Sequence, residues 1–445
     1  MVGIGPTDRC SGIPLARTGR GGHAVAVSLP VTSDPAGERR TAGPTSPNDP
    51  SDLLSRRGRG ATSSVIRDLL HLTNRSDVLS LAGGLPSPDS FPVGRLRESA
   101  DAVLAGAGRY GPEAIQYGPT EGIPALRQWL ADTYAARGGE CDAEDVLITT
   151  GSQQALDLLA RALVDAGDDV VVEAPSYVGA LQALAGTDPH LVPVEADRDG
   201  LRTDLLEAHL VAGLRPRLCY VVANFQNPSG GTLALDRRRH LAALADRYGF
   251  VIVEDDPYGA LRFRGTALPP VRSFTPLAVT LGTASKILAP GLRVGWLAAP
   301  AWLHGPLVRL KQAADLHTST LCQRMALEVL SDEAFMADHL AGLGPFYGQR
   351  GDALADAIEA ELGERASFDR PDGGMFLWVR LVDSPRPARE LLPVAVDAGV
   401  AFVPGEAFFV DGSGGDRVRL SFATLTPDEL GEAARRLARA LTSAG

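Results

Sequence analysis

The chain has 445 residues, 44% of them hydrophobic and 22% charged, with a mean hydropathy of +0.00. That composition excludes a wholly disordered polymer, and the length suits a large α/β unit with a smaller companion. A net charge of -11 argues against a nucleic-acid backbone or an anionic membrane as principal partner, since either needs a basic face, and it points to a small-molecule substrate.

Lysine is nearly absent. Of the 43 Lys plus Arg residues only Lys286 and Lys311 are lysine. Arginine can replace lysine as a surface cation but not as a nucleophilic amine, because the guanidinium keeps its proton. The cysteines, Cys10, Cys141, Cys219 and Cys322, form no C-x-x-C pair, and the histidines form no H-x-H or H-E-x-x-H pattern. No metal site is therefore expected, and a reducing cytoplasm is the simple reading. No apolar run approaches the ~20 residues that span a bilayer, and the start lacks a compact apolar segment after a basic one, so neither a membrane span nor secretion is expected.

In chain order, residues 1–52 are rich in Gly, Pro, Ser, Thr and Arg and read as a disordered extension or a start placed too early. SSVIRDLLHLTNR suits a short amphipathic helix. From Gly118 to Pro300 helical stretches alternate with β-rich runs, the pattern of βα units around a mainly parallel sheet. SQQALDLLARALVDAG reads as a helix, and DVVVEA, LVPVEA, LCYVVAN, FVIVEDD, AVTLGTAS and RVGWLAA read as strands buried on both faces. Helical patterning resumes from Pro306 to Leu362. The remainder, ending in PDELGEAARRLARAL, mixes strands and helices as a compact α+β domain does.

Four segments carry candidate chemistry. TASKILAPGLRVGW sets Lys286 just past an apolar strand, with hydroxyls at Thr283 and Ser285 and a cation at Arg293, an arrangement suited to a Schiff-base lysine beside a bound phosphate or to an exposed loop lysine. Lys311, in the helical VRLKQAADL, reads as a solvated helix-face charge. VIVEDDPYGAL ends a strand in Glu254, Asp255 and Asp256 before Tyr258, where acids could hold a pyridine nitrogen protonated or simply be solvated. ITTGSQQALDLL puts Gly151 in a tight turn and Ser152 and Gln153 at a helix N-terminus, an anion site at which Ser152 also reads as the N-cap. YVVANFQNPSGG holds Asn224 and Asn227 on strong turn chemistry, from which an Asn could donate to a phenolate oxygen. Less specific are Tyr177 in APSYVGAL, able to stack on a flat ring or merely pack, and Arg419 in RVRLSF, able to clamp a carboxylate or pair with an acid.

Taken in order, these segments resemble the aminotransferase class I and II family of fold type I PLP enzymes over residues 53–445. IRDLLHLTNRSDVLSLAGGLPSPDSFP and QYGPTEGIPALRQWL are similar to the subgroup containing 2-aminoadipate and kynurenine aminotransferases and the enzyme-like domain of MocR-type regulators. The resemblance implies an α/β fold: a large PLP-binding domain with a mainly parallel sheet sandwiched by helices over 118–325, and a smaller α+β domain over 326–445. Residues 53–117 would add to the small domain and to dimer contacts. It implies that Lys286 forms the internal aldimine with pyridoxal 5′-phosphate and moves the proton between substrate and cofactor. Asp255 would pair with the pyridine nitrogen, Asn227 and Tyr258 would contact the phenolate oxygen, and Tyr177 would stack on the ring. Ser152, Gln153, Thr283, Ser285 and Arg293 would hold the phosphate, with Tyr117 reaching the neighbouring subunit's phosphate in a homodimer. Arg419 would bind the substrate carboxylate, with Asn227 beside it, and Gly84 would contact substrate through its backbone.

The implied reaction is amino transfer from an L-amino acid to a 2-oxo acid, with 2-oxoglutarate the expected acceptor. A lyase, decarboxylase or cyclase on the same fold is the alternative. A PLP-fold transcription regulator is disfavoured because residues 1–50 show no helix-turn-helix period and no lysine.

Overall fold

The computed structural model describes residues 53–60, 77–106 and 111–444. The extension over 1–52 and the helix expected over SSVIRDLLHLTNR lie outside the described residues. The strands described are β1 (Leu79–Ser80), β2 (Val146–Thr149), β3 (Asp169–Ala174), β4 (His190–Asp197), β5 (Gly200–Leu201), β6 (Leu218–Val222) and β7 (Val251–Asp255). They continue with β8 (Ala278–Thr283), β9 (Gly295–Ala298), β10 (Ala366–Ser367), β11 (Phe376–Leu381), β12 (Val400–Ala401), β13 (Val403–Pro404) and β14 (Arg417–Ser421).

Eight strands form the large sheet in the order β2-β9-β8-β7-β6-β3-β4-β5. The pairings of β3 with β4 and β6, β6 with β7, and β7 with β8 are parallel, whereas β9 runs antiparallel to β2 and β8. Parallel neighbours need crossovers, and helices Val178–Ala185, Thr203–Val211 and Leu235–Tyr248 supply them. Alternate residues of the central strands feed separate cores. Val170, Val172, Leu218, Tyr220, Val222 and Val253 pack on one side, and Val171, Cys219, Val221 and Ile252 on the other. Both faces being covered, these strands have no polar face, which is why they read as continuous apolar runs. LVPVEA departs from that reading: β4 buries little besides Val194, because only the two-residue β5 lies beyond it and the cover thins at this edge.

The second sheet, β10-β11-β14-β13, is antiparallel. Its cover includes helix Glu333–Leu362 and helix Pro427–Ser443, the latter started by a capping box between Thr426 and Glu429. β1 pairs in parallel with β12, and Ser421 N–H donates to the Leu81 carbonyl at 2.7 Å. Those bonds stitch residues 79–81 to the C-terminal strands and aim the glycines that follow at the large sheet.

One buried ion pair ties the large sheet together. Arg238, fully buried, donates to Glu254 at 3.2 Å, to the Asn224 side chain at 2.9 Å, and to the carbonyls of Leu233, Ala223 and Pro269. Glu254 also accepts from Val271 N–H and the Thr280 hydroxyl. Arg238→Met should therefore strip a buried carboxylate and several carbonyls of their donor and lower the unfolding free energy by about 3 kcal/mol, read by urea denaturation.

Candidate active site

Ligands of open α/β sheets gather beyond the carboxyl ends of the strands, and five strands deliver side chains there. β2 leads to Gly151 and Ser152, β3 to Tyr177, β6 to Asn224 and Asn227, β7 to Asp255 and Tyr258, and β8 to Thr283, Ser285 and Lys286. Antiparallel β9 starts at the same edge, directly after Arg293.

Close backbone approach shapes the turn at Gly151. Gly151 sits at φ +76°, and a Cβ there would collide with the Arg293 guanidinium; one at Gly295 would strike Gly151 and the Ser152 amide. Arg293 is itself left-handed at φ +53° and donates to the Thr150 carbonyl at 3.2 Å. Gly151, not Ser152, is the N-cap of helix Ser152–Leu163, and no side chain caps it. The Ser152 hydroxyl, expected to cap, thus sits in the first turn among amides that have no intrahelical partner. Thr283 donates to Ser285 Oγ at 2.9 Å and accepts from Ser285 N–H, fixing that hydroxyl pair, while Gln153 donates to the Gly179 carbonyl at 2.7 Å.

Lys286 is partly buried, and its Nζ donates to the Gly84 carbonyl at 3.1 Å. Burial, with the positive charges of Arg419 and Arg293, lowers its pKa to about 8 against the opposing pull of Asp255. Asp255 is buried at 3% exposure. Its Oδ2 accepts from the Tyr220 hydroxyl at 2.9 Å, and its buried Oδ1 has no partner. Burial raises its pKa to about 7, further helped by the charge of Asp256 and resisted by the Tyr220 bond and Lys286. The three acids of VIVEDD have parted company: Glu254 serves the Arg238 pair, and Asp256 accepts from the Asn224 amide and Gly259 N–H.

Arg419 is fully buried, sandwiched near the rings of Phe376 (4.3 Å) and Phe408 (5.3 Å). It donates to Asn227 Oδ1 at 3.0 Å and to the Ala82 carbonyl at 2.7 Å, and its Nε has no partner. A Cβ at Gly84 would lie 3.9 Å from its guanidinium. Tyr258 is buried against Phe376 with Lys286 Nζ 6.0 Å from its ring centroid, and burial drives its hydroxyl well above the ordinary phenol range. Tyr177, at the N-cap of helix Val178–Ala185, is packed against the same core.

Two residues fall elsewhere. Tyr117 is 78% exposed and meets the His317 ring edge-on at 5.7 Å, apart from the cluster around Lys286. Lys311, read as a solvated helix charge, is instead fully buried, because its helix packs that face toward Thr150 and Gln154. It pairs with Asp315 at 2.8 Å, and burial lowers its pKa against that bond. Tyr220 and the Lys311 partners went unread in the sequence; the one local signal was a lone hydroxyl in the apolar run LCYVV.

Asp255 has a consequence for stability. With its pKa raised from the ordinary 3.8 to about 7, the ligand-free native state holds a proton that the unfolded chain has released, so stability falls as pH rises through that interval. Asp255→Asn should make the ligand-free protein more stable than the parent at pH 8, with the gain vanishing near pH 4, as followed by thermal melts across pH.

Comparison with known proteins points to one family. The sequence profile described as "Aminotransferase class I and II" matches residues 86–437. The 2-aminoadipate transaminase of Thermus thermophilus is 41% identical over 86% of this chain and 96% of its own length. Aromatic-amino-acid aminotransferase 1 of Thermococcus litoralis is 38% identical over 87% and 94%. The crystal structure of the α-aminoadipate aminotransferase of Thermus thermophilus, complexed with N-(5′-phosphopyridoxyl)-L-leucine, superposes with a TM-score of 0.81 at 38% identity, covering 88% of this chain and 98% of that one.

Proposed function

The chain belongs to the aminotransferase class I and II family of PLP-dependent enzymes, and from that premise we propose that it moves the amino group of an L-amino acid to a 2-oxo acid with Lys286 as the cofactor-bearing residue. The observation that carries this reading is the convergence on one strand edge of an amine with a pKa of about 8, a buried carboxylate oxygen without a partner at Asp255 Oδ1, and a buried guanidinium with an unpartnered Nε at Arg419.

The residues fit pyridoxal 5′-phosphate. Asp255 Oδ1 is an acceptor in want of an N–H, and the turn at Gly151 sets the first-turn amides of helix Ser152–Leu163 beside the Arg293 guanidinium, a donor set that suits a phosphate. When bound, the cofactor supplies a reactive carbonyl carbon and a ring that draws electrons from the substrate α-carbon. Ser152, Gln153, Ser285 and Arg293 would hold its phosphate, with the Thr283 hydroxyl orienting Ser285. Asp255 would keep the ring nitrogen protonated, Tyr177 would stack on the ring, and Asn227 and Tyr258 would donate to its phenolate oxygen. Lys286 Nζ, once free, would take the proton from the substrate α-carbon and return it one position away. Arg419 would grip the substrate carboxylate through guanidinium hydrogens, with Asn227 setting the fork's plane and the Gly84 backbone beside it.

The reading extends to assembly. Tyr117 and Ile115, both exposed, stand beside a cleft of about 450 Å³ lined by Gln116, Pro119, Thr320 and Arg324, the surface a second copy would cover if Tyr117 of the partner subunit completes the phosphate site. We take the protein as a cytoplasmic homodimer. The free Cys141, Cys219 and Cys322 suit a reducing compartment, and among the described residues no helix is long and apolar enough to cross a membrane.

The test is amino exchange in two halves. A donor panel led by 2-aminoadipate and aromatic amino acids should convert the bound cofactor to its amine form, and 2-oxoglutarate should restore it. Lys286→Arg should lower turnover roughly 10³-fold or more, since it removes the proton carrier while keeping the charge. Sustained product formation with no oxo acid present would contradict amino transfer.

A further inference from the structure

The second lysine lies in a densely bonded polar cluster next to the proposed cofactor site. Lys311 Nζ donates to Gln154 Oε1 at 3.0 Å, to both Asp315 oxygens at 2.8 and 3.0 Å, and to Thr318 Oγ1 at 3.1 Å. Every polar atom of Thr150, the residue leading into the Gly151 turn, is then held. Its N–H donates to the same Gln154 Oε1 at 2.8 Å, its hydroxyl donates to Asp315 Oδ2 at 2.8 Å, and its carbonyl accepts from Arg293 at 3.2 Å. Gln154 Nε2 closes the ring on Asp315 at 2.7 Å.

A buried ion pair is costly to desolvate, and a well-packed apolar pair in place of Lys311 and Asp315 would stabilise the fold at least as well, so stability alone does not explain this cation. What the network does provide is position. It fixes the backbone on the strand side of Gly151 and, through the Thr150 carbonyl, the guanidinium of Arg293. The first-turn amides after Gly151 and Arg293 are the groups that would face the cofactor's phosphate in the function proposed above. We propose that Lys311 is a positioning residue for the phosphate-binding turn, acting through Gln154, Asp315 and Thr150 to hold the Ser152 amide and Arg293 in place before the cofactor arrives. The inference rests on the functional reading above, since it needs the turn to bind the cofactor's phosphate.

The experiment compares two ligands on the full-length chain freed of cofactor: pyridoxal 5′-phosphate, and pyridoxal, which lacks the phosphate. Lys311→Met should weaken binding of the phosphorylated ligand about tenfold or more and change that of pyridoxal by less than about twofold, because the turn that the ammonium positions would meet only the phosphate. Lys311→Arg should act in the same direction, the planar fork being unable to make the tetrahedral set of contacts. Thr318→Val, which keeps the volume and removes one hydroxyl from the network, should show a smaller effect with the same ligand dependence and covers the case in which the lysine variants fail to fold. Variants that bind both ligands as the parent does, or lose both by the same factor, overturn the inference while leaving the functional reading intact. A parent chain that binds neither ligand overturns both.

Discussion

An amine attacks a carbonyl only after losing its proton, and at neutral pH an ordinary lysine keeps it; the proposed function depends on relieving that constraint at Lys286. The fold does so with burial and two guanidinium groups delivered from different elements. Arg293 enters from the start of β9 and Arg419 from β14 in the second sheet. Asp255 pulls the other way, so the amine stays near pH 8 instead of dropping further. Bringing these groups to one point requires the sheet's carboxyl edge, the antiparallel turn into β9, and the β1–β12 stitching that lays Ala82 and Gly84 over Arg419 and Lys286.

The same arrangement costs the fold stability. Asp255 and Arg419 are buried with polar atoms left unpartnered, and Gly151 and Arg293 adopt left-handed backbone so that a guanidinium can approach a main-chain turn. These costs are borne by a large sheet with both faces covered and by the fully satisfied Arg238–Glu254 pair beneath it. Sites that leave orphaned groups in a well-satisfied framework are where a protein trades stability for binding.

Much of this was legible in the sequence because the relevant residues sit at strand ends, where a period-two or continuous apolar run stops and a polar cluster begins. Lys286, Asn227, the Gly151 turn and the acid trio that ends VIVEDD were all picked out as candidates that way. Lysine's scarcity singled out two positions, but residue type could not tell a solvated lysine from a buried one: Lys311 occupies a helix whose pattern gives no sign that its partners are Gln154 and Thr318, the former 157 residues away. Tyr220 was hidden for the same reason, its partner Asp255 lying on the neighbouring strand and 35 residues on. Asp256 and Glu254 were indistinguishable from Asp255 in one dimension, since only strand alternation and the presence of Arg238 decide which acid faces which core.

That a chain of this length contains two lysines makes its central claim testable by a single chemical event. Loading the protein with pyridoxal 5′-phosphate, reducing with borohydride and mapping the added mass by peptide mass spectrometry should place the phosphopyridoxyl group on Lys286 in near-stoichiometric yield. A label found on Lys311 or the N-terminal amine instead, with Lys286 unmodified, would contradict the account.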